Sequence, residues 1–152
     1  MNEVTLRPLR RDDATSLHAI FTEPGVRLYL FDDVLLTSEE TQEHVDAAVA
    51  HGAWAIVVDG TLGGIAALRP VRDDRELIVA VSERCWGKSV AFEAARAMIR
   101  HGFDSLGLAR ILATVDLPNL RSHRLMARLG FRPTGEIDGP KYRARTYVLP
   151  RP

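Results

Sequence analysis

The chain has one cysteine, Cys85, so it cannot close an internal disulfide, which suits a reducing compartment. It has no excess charge of either sign, with 20 Lys and Arg against 20 Asp and Glu. A sequence-independent nucleic-acid binder needs a basic surplus, so that class is disfavoured. No apolar run approaches the roughly 20 residues that cross a bilayer. The start, MNEVTLRPLRRDD, lacks the apolar core of a secretory signal. The five histidines show no metal-ligand spacing, and no metal is expected. Internal repeats, low-complexity tracts and linkers are also missing. These absences lead to an expectation of a cytoplasmic protein with neither a membrane nor a nucleic acid as partner.

What is present fits a single domain over residues 1–152, because 46% of 152 residues are hydrophobic and a core of useful size is possible. Val4 and Leu6 alternate with polar residues before Pro8, so residues 3–8 read as an edge strand. Asp12 and Asp13 open a helix whose apolar face is Leu17, Ile20 and Phe21, and Pro24-Gly25 ends it. Residues 26–37 read as a short helix plus loop. Ser38-Glu39-Glu40-Thr41 starts a helix over about 39–51. Strands then dominate. Residues 53–58 and 62–71 flank Asp59-Gly60, a hairpin signal, and 76–81 extends the meander. A helix follows Ser89, with Ala91, Ala94, Ala95 and Met98 at the spacing of a buried stripe and Gly102 and Gly107 bracketing its end. Residues 111–115 form a buried strand. A helix from about Asn119 to Leu129 stops at Gly130, and 131–137 and 142–149 form a last strand pair. The order strand 76–81, helix, strand 111–115 is a crossover, so those two strands run parallel while the others run antiparallel. The fold class is therefore α+β with a mixed, mostly antiparallel sheet of six to seven strands and about four helices.

The chemically suggestive stretch is LIVAVSERCWGKS, residues 77–89, leading into a helix. The first N–H groups of a helix lack internal partners and sit at the positive end of its dipole. Gly87 lets a backbone approach an anion, Lys88 adds a point charge, and Ser89 can cap the helix or donate to a phosphate. The stretch reads either as a diphosphate site or as an ordinary strand–glycine–helix joint.

Four segments in order resemble the GNAT superfamily of N-acetyltransferases, and more narrowly the branch of ribosomal-protein N-terminal acetyltransferases. Arg84-Cys85-Trp86-Gly87-Lys88-Ser89 resembles the acetyl-CoA loop Q/R-x-x-G-x-G/A except at its last position. Trp86-Gly87-Lys88 with Phe92-Glu93-Ala94 resembles the branch's WGKGxATEA. Gly107-Leu108-Ala109-Arg110-Ile111 resembles the entry to the fifth strand. Asn119-Leu120-Arg121-Ser122 and Arg128-Leu129-Gly130-Phe131 resemble the branch's NxxS…KLGF block. The resemblance covers about residues 76–135. It departs at Ser89, where the family has Gly or Ala, and at Met126, where many members place a tyrosine that protonates the leaving thiolate.

The resemblance implies a sheet splayed between its fourth and fifth strands, with acetyl-CoA held there as acetyl donor. It implies that pantetheine pairs with the backbone of Val79, Ala80 and Val81. The diphosphate would rest on Arg84, Cys85, Trp86, Gly87, Lys88 and Ser89, and Asn119 and Ser122 would face the thiol. Ser122 would supply the acid. Glu76 and Asp116 are the candidate bases for the acceptor amine, and each also reads as a solvated strand-end carboxylate. Asn119 and Ser122 also read as helix-start residues. Arg121, Arg124 and Arg128 share a helix face, and one of them reaches the ribose phosphate if that face is used. Asp32-Asp33 reads as the lining of a cationic acceptor pocket or as a loop tip. The expected activity is acetyl transfer to a primary amine, either a protein N-terminus or a small molecule, with a homodimer as a further expectation. A non-catalytic acyl-CoA binder or sensor of the same fold and a binder of another nucleotide are the alternatives.

Overall fold

A computed structural model describes residues 2–152. Seven strands form one sheet: β1 (Val4–Pro8), β2 (Trp54–Val58), β3 (Thr61–Val71), β4 (Asp74–Val81), β5 (Arg110–Asp116), β6 (Arg132–Ile137) and β7 (Ala144–Pro150). Their order is β1-β2-β3-β4-β5-β7-β6. All neighbours run antiparallel except β4 and β5. The expected α+β class and the crossover are both present. The Asp59-Gly60 turn between β2 and β3 has positive φ at both residues, 50° and 82°, the geometry whose twist matches a tight hairpin.

Among the described residues five α-helices cover the sheet, one for each helical segment read from the sequence: α1 (Ala14–Phe21), α2 (Pro24–Leu30), α3 (Ser38–Ala50), α4 (Val90–Asp104) and α5 (Leu120–Leu129). The odd residues of β4 and β5, including Leu77, Val81, Ile111 and Val115, pack with Met98 of α4 and Met126 of α5. The opposite face buries Ala80, Ile65 and Ala67 with Leu17, Ile20 and Val45 of α1 and α3. Ala94 and Ala95 are fully buried, so α4 lies close to the sheet.

Two local readings are corrected by the structure. Pro24-Gly25 does not merely end α1. Pro24 is the first residue of α2, where a missing N–H costs nothing. The capping box of α3 begins at Thr37 rather than Ser38: Thr37 Oγ1 accepts from Glu40 N at 3.1 Å, and Glu40 Oε1 accepts from Thr37 N at 2.9 Å. Gly102 and Gly107 do bracket the end of α4 at Asp104, and Gly102 itself lies in the helix's last turn. A Cβ there would stand 2.8 Å from Leu68 Cδ1, so the glycine serves helix-to-sheet packing.

Candidate active site

The site begins where β4 and β5 part. Their only paired Cα positions are Glu76 and Leu112. Beyond that point β4 continues to Val81 along β3 while β5 continues to Asp116 along β7. The side chains of Val79 and Val81 go to the α4 core, and Ala80 goes to the α1–α3 core. What these three residues can offer a ligand in the gap is therefore backbone.

The connection from β4 to α4 supplies a row of donors. Gly87 has φ +74° and Ser89 has φ +61°, and a Cβ at Gly87 would meet nothing within 4 Å. From Gly87 to Phe92 no backbone N–H finds an acceptor among the described residues. Unpaired N–H groups around left-handed residues at the positive end of a 15-residue helix form an anion cradle. A diphosphate fits that donor set. Lys88 is exposed beside it, and the Ser89 side chain makes no capping bond.

The neighbouring side chains are committed differently. Arg84 Nη2 donates to Leu62 O at 2.6 Å, so its guanidinium is turned to the β2–β3 hairpin, and the N–H groups of Cys85 and Trp86 are spent on Ser82 O and Glu83 O, which starts the free row at Gly87. Cys85 is buried. The Trp86 indole N–H donates to Val81 O at 3.2 Å, and the guanidinium of Arg121 stacks 3.8 Å from a Trp86 ring centroid.

On the other arm, Asn119 caps α5. Its Oδ1 accepts from Ser122 N at 3.3 Å, and its Nδ2 donates to Ser122 Oγ at 3.0 Å. Ser122 Oγ is thereby held as an acceptor, which leaves its own proton to donate elsewhere. Met126, at the position of the family's tyrosine, is buried in the core.

Glu76, Thr114 and Asp116 occupy the face of the sheet opposite α4. Glu76 is buried and both its oxygens are engaged, one with Arg69 and the other with Thr114 Oγ1 at 3.0 Å. Asp116 has no ion pair and no side-chain hydrogen bond among the described residues. Burial pushes its carboxyl above the ordinary aspartate range, and the nearby negative charge of Asp32 pushes it further. The structure thus separates the acidic pair at 32–33. Asp32 is near enough for its charge to act on Asp116, whereas Asp33 pairs with Arg27 at 3.0 Å and with Lys141 at 3.9 Å. Tyr142 in the β6–β7 loop packs on Tyr29 of α2, with centroids 5.8 Å apart. Three segments therefore meet over one mouth of the gap: the end of α2, the β6–β7 loop and the end of β5.

Sequence reasoning missed the joint that fixes α2 to this site. Glu23 accepts from Ser82 Oγ at 2.8 Å and from Glu83 N at 2.7 Å. Gly25, behind it, would place a Cβ 2.5 Å from the Trp86 ring. The signal was legible as Glu23-Pro24, an acidic residue before a proline at a helix start. Also missed was Gly63-Gly64 in β3. A Cβ on Gly64 would lie 2.1 Å from Ala80 O, and one on Gly63 would lie 3.3 Å from Cys85 Sγ. Among the described residues no group of three or more His, Cys, Asp or Glu could hold a metal, and no helix is long and apolar enough to cross a membrane.

Known proteins resemble this chain in sequence and in fold. The chain is similar to the spermidine N(1)-acetyltransferase of Escherichia coli, 26% identical over 142 residues that cover 90% of this chain and 76% of that one. It is 30% identical over 143 residues to an uncharacterised N-acetyltransferase of Bacillus licheniformis, covering 87% and 80%. A ribosomal alpha-N-protein acetyltransferase solved in complex with coenzyme A superposes with a TM-score of 0.82 over 97% of this chain and 93% of its own. At 16% identity that likeness is one of fold. A family model described as an acetyltransferase (GNAT) domain matches residues 3–132. With its splayed β4 and β5 and its N–H cradle before α4, this chain belongs to the GNAT acetyltransferase family.

Proposed function

We propose that this acetyltransferase moves the acetyl group of acetyl-CoA to a primary amine, and that Asp116 takes the amine's proton. The observation that carries the reading is the contrast between two carboxylates on one sheet face. Glu76 is held by Arg69 and Thr114, whereas Asp116 is unpaired, partly desolvated and placed at the mouth of the gap. A raised pKa makes a carboxylate a better base near neutral pH, where the acceptor amine arrives as an ammonium.

The family's donor supplies an activated acyl thioester. The chain's own groups supply the rest. The free edge of β4 at Val79–Val81 orients an extended arm as an added strand would, and the cradle from Gly87 to Phe92 takes the diphosphate. Holding two substrates in one gap lowers the barrier by positioning alone. Asp116 accepts a proton from the ammonium, and the freed nitrogen attacks the thioester carbonyl carbon. A C–N bond forms, the C–S bond breaks, and the Ser122 hydroxyl donates to the departing sulfur. The amine's second proton restores the Ser122 hydroxyl, and the proton held by Asp116 passes to solvent.

Asp32 beside Asp116 gives the acceptor mouth two carboxylates without a partner cation among the described residues. That favours an acceptor with a second positive charge over a neutral-chain amine. The spermidine enzyme among the relatives is named for such a substrate. The test is coenzyme A release from acetyl-CoA with spermidine, short diamines, monoamines and peptide N-termini as acceptors. Faster turnover with the di- and polyamines supports the reading. Preference for peptide N-termini returns the acceptor to the protein class. Tight acetyl-CoA binding with no turnover on any amine favours the non-catalytic binder.

A further inference from the structure

Arg121 stands in the first turn of α5, where a cation is electrostatically misplaced. The free N–H groups there carry partial positive charge, and a cation beside them is disfavoured. The turn contains no acidic residue to offset it. Among the described residues Arg121 makes no ion pair and no hydrogen bond, and its side chain rests on the Trp86 ring at 3.8 Å. Stacking occupies the flat face of a guanidinium and leaves its edge N–H donors free.

The place of that stack gives it meaning. Trp86 is the residue before Gly87, so the indole lies at the start of the N–H cradle, fixed by its bond to Val81 O. Arg121 comes from the opposite arm of the gap, between Asn119 and Ser122. The other two arginines of α5 do not share this position. Arg124 stacks on no ring among the described residues, and Arg128 stacks on Phe92 at 4.0 Å, in a separate groove with Arg96 and Ile99. Only Arg121 sets a free bidentate donor edge beside the first N–H groups of the cradle.

We propose that Arg121 is a binding residue for the diphosphate of the acetyl donor, with Trp86 as the platform that holds its guanidinium flat. The assignment rests on the reading of acetyl-CoA as that donor. A bidentate guanidinium contact to an anionic oxygen is stronger than a neutral hydrogen bond and complements backbone donors on the other side of the diphosphate.

The test is calorimetric titration of acetyl-CoA and of acetyl-dephospho-CoA into wild type, Arg121→Gln and Arg121→Lys. The second ligand keeps the diphosphate and lacks the 3′-phosphate. The expected result is a loss of roughly ten- to a hundredfold in affinity for both ligands in Arg121→Gln. Arg121→Lys, which keeps the charge and loses the fork, should fall between. The salt dependence of binding should be shallower in Arg121→Gln. Equal affinity of Arg121→Gln and wild type overturns the proposal. So does a loss seen with acetyl-CoA and absent with the dephospho ligand, since Arg121 would then read the 3′-phosphate. Failure of the wild type to bind either ligand overturns the donor reading itself.

Discussion

Glu23 and Glu83 each cap the other's helical start. The Glu23 carboxylate receives Ser82 Oγ and Glu83 N at the turn after β4, and the Glu83 carboxylate receives Gly25 N at 3.4 Å at the start of α2. This reciprocal bond fixes the helix that carries Tyr29 and leads into the turn at Asp32 to the strand that would carry the donor.

Glu23→Ala should therefore act on the acceptor side. It strips the acceptor from Ser82 Oγ, which is 2% exposed, and from Glu83 N. Leaving buried donors unpaired costs about 1–3 kcal/mol. Urea unfolding should show that loss. Kinetics should show a raised KM for the amine with little change in acetyl-CoA affinity.

Ser89→Gly should stabilise the protein. Ser89 sits at φ +61° and its hydroxyl makes no capping bond, so the substitution removes a strained Cβ and no interaction. The left-handed penalty of roughly 1–2 kcal/mol exceeds the entropic cost of glycine, roughly 0.5–1 kcal/mol. The expected gain is therefore about 0.5–1 kcal/mol in denaturant unfolding. Ser89→Val should lose stability by more than that gain.

Tyr147→Phe should loosen α5. A carbonyl can only accept, so His123 Nε2 carries the proton given to Asp116 O at 3.1 Å. In the neutral ring, Nδ1 then accepts the Tyr147 hydroxyl at 2.6 Å. Removing that hydroxyl leaves a partly buried ring nitrogen without its donor, at about 1–2 kcal/mol. Thermal unfolding measures the loss. Because Asn119 and Ser122 lie on the same helix, kcat should fall more than donor affinity.

Much of this architecture was readable because it rests on short-range rules. Alternation and the Asp59-Gly60 turn marked β2 and β3, and the alanine stripe marked α4. Asn119 and Gly130 bracketed α5, and the unpaired N–H row followed from Gly87 and Ser89. What could not be read depends on contacts between distant segments. The bond from Glu23 to residues 82–83 spans about sixty positions of chain. The separation of Asp32 from Asp33 is set by Arg27 and by Lys141 from the far hairpin. The difference between Glu76 and Asp116 as bases arises from Arg69 and Thr114 on the two flanking strands. Gly102 marked the helix end correctly, but its close approach to Leu68 is a contact between distant segments.

Asp116 should also trade stability for activity. Its folded pKa is raised, so the folded state holds that proton more tightly than the unfolded chain does. Stability attributable to Asp116 is then lost as pH rises from the unfolded value, near 3.8, through the raised folded value. Asp116→Asn should be more stable than wild type near neutral pH, as followed by thermal unfolding at two pH values.

The central claim is tested most directly by the pH dependence of coenzyme A release with spermidine, wild type beside Asp116→Asn. The account predicts that wild-type turnover falls toward acid through a limb above the ordinary aspartate range. It predicts that Asp116→Asn loses roughly 10²- to 10⁴-fold in rate along with that limb, while still binding acetyl-CoA. Turnover by Asp116→Asn at the wild-type rate, with the acid limb intact, would contradict it.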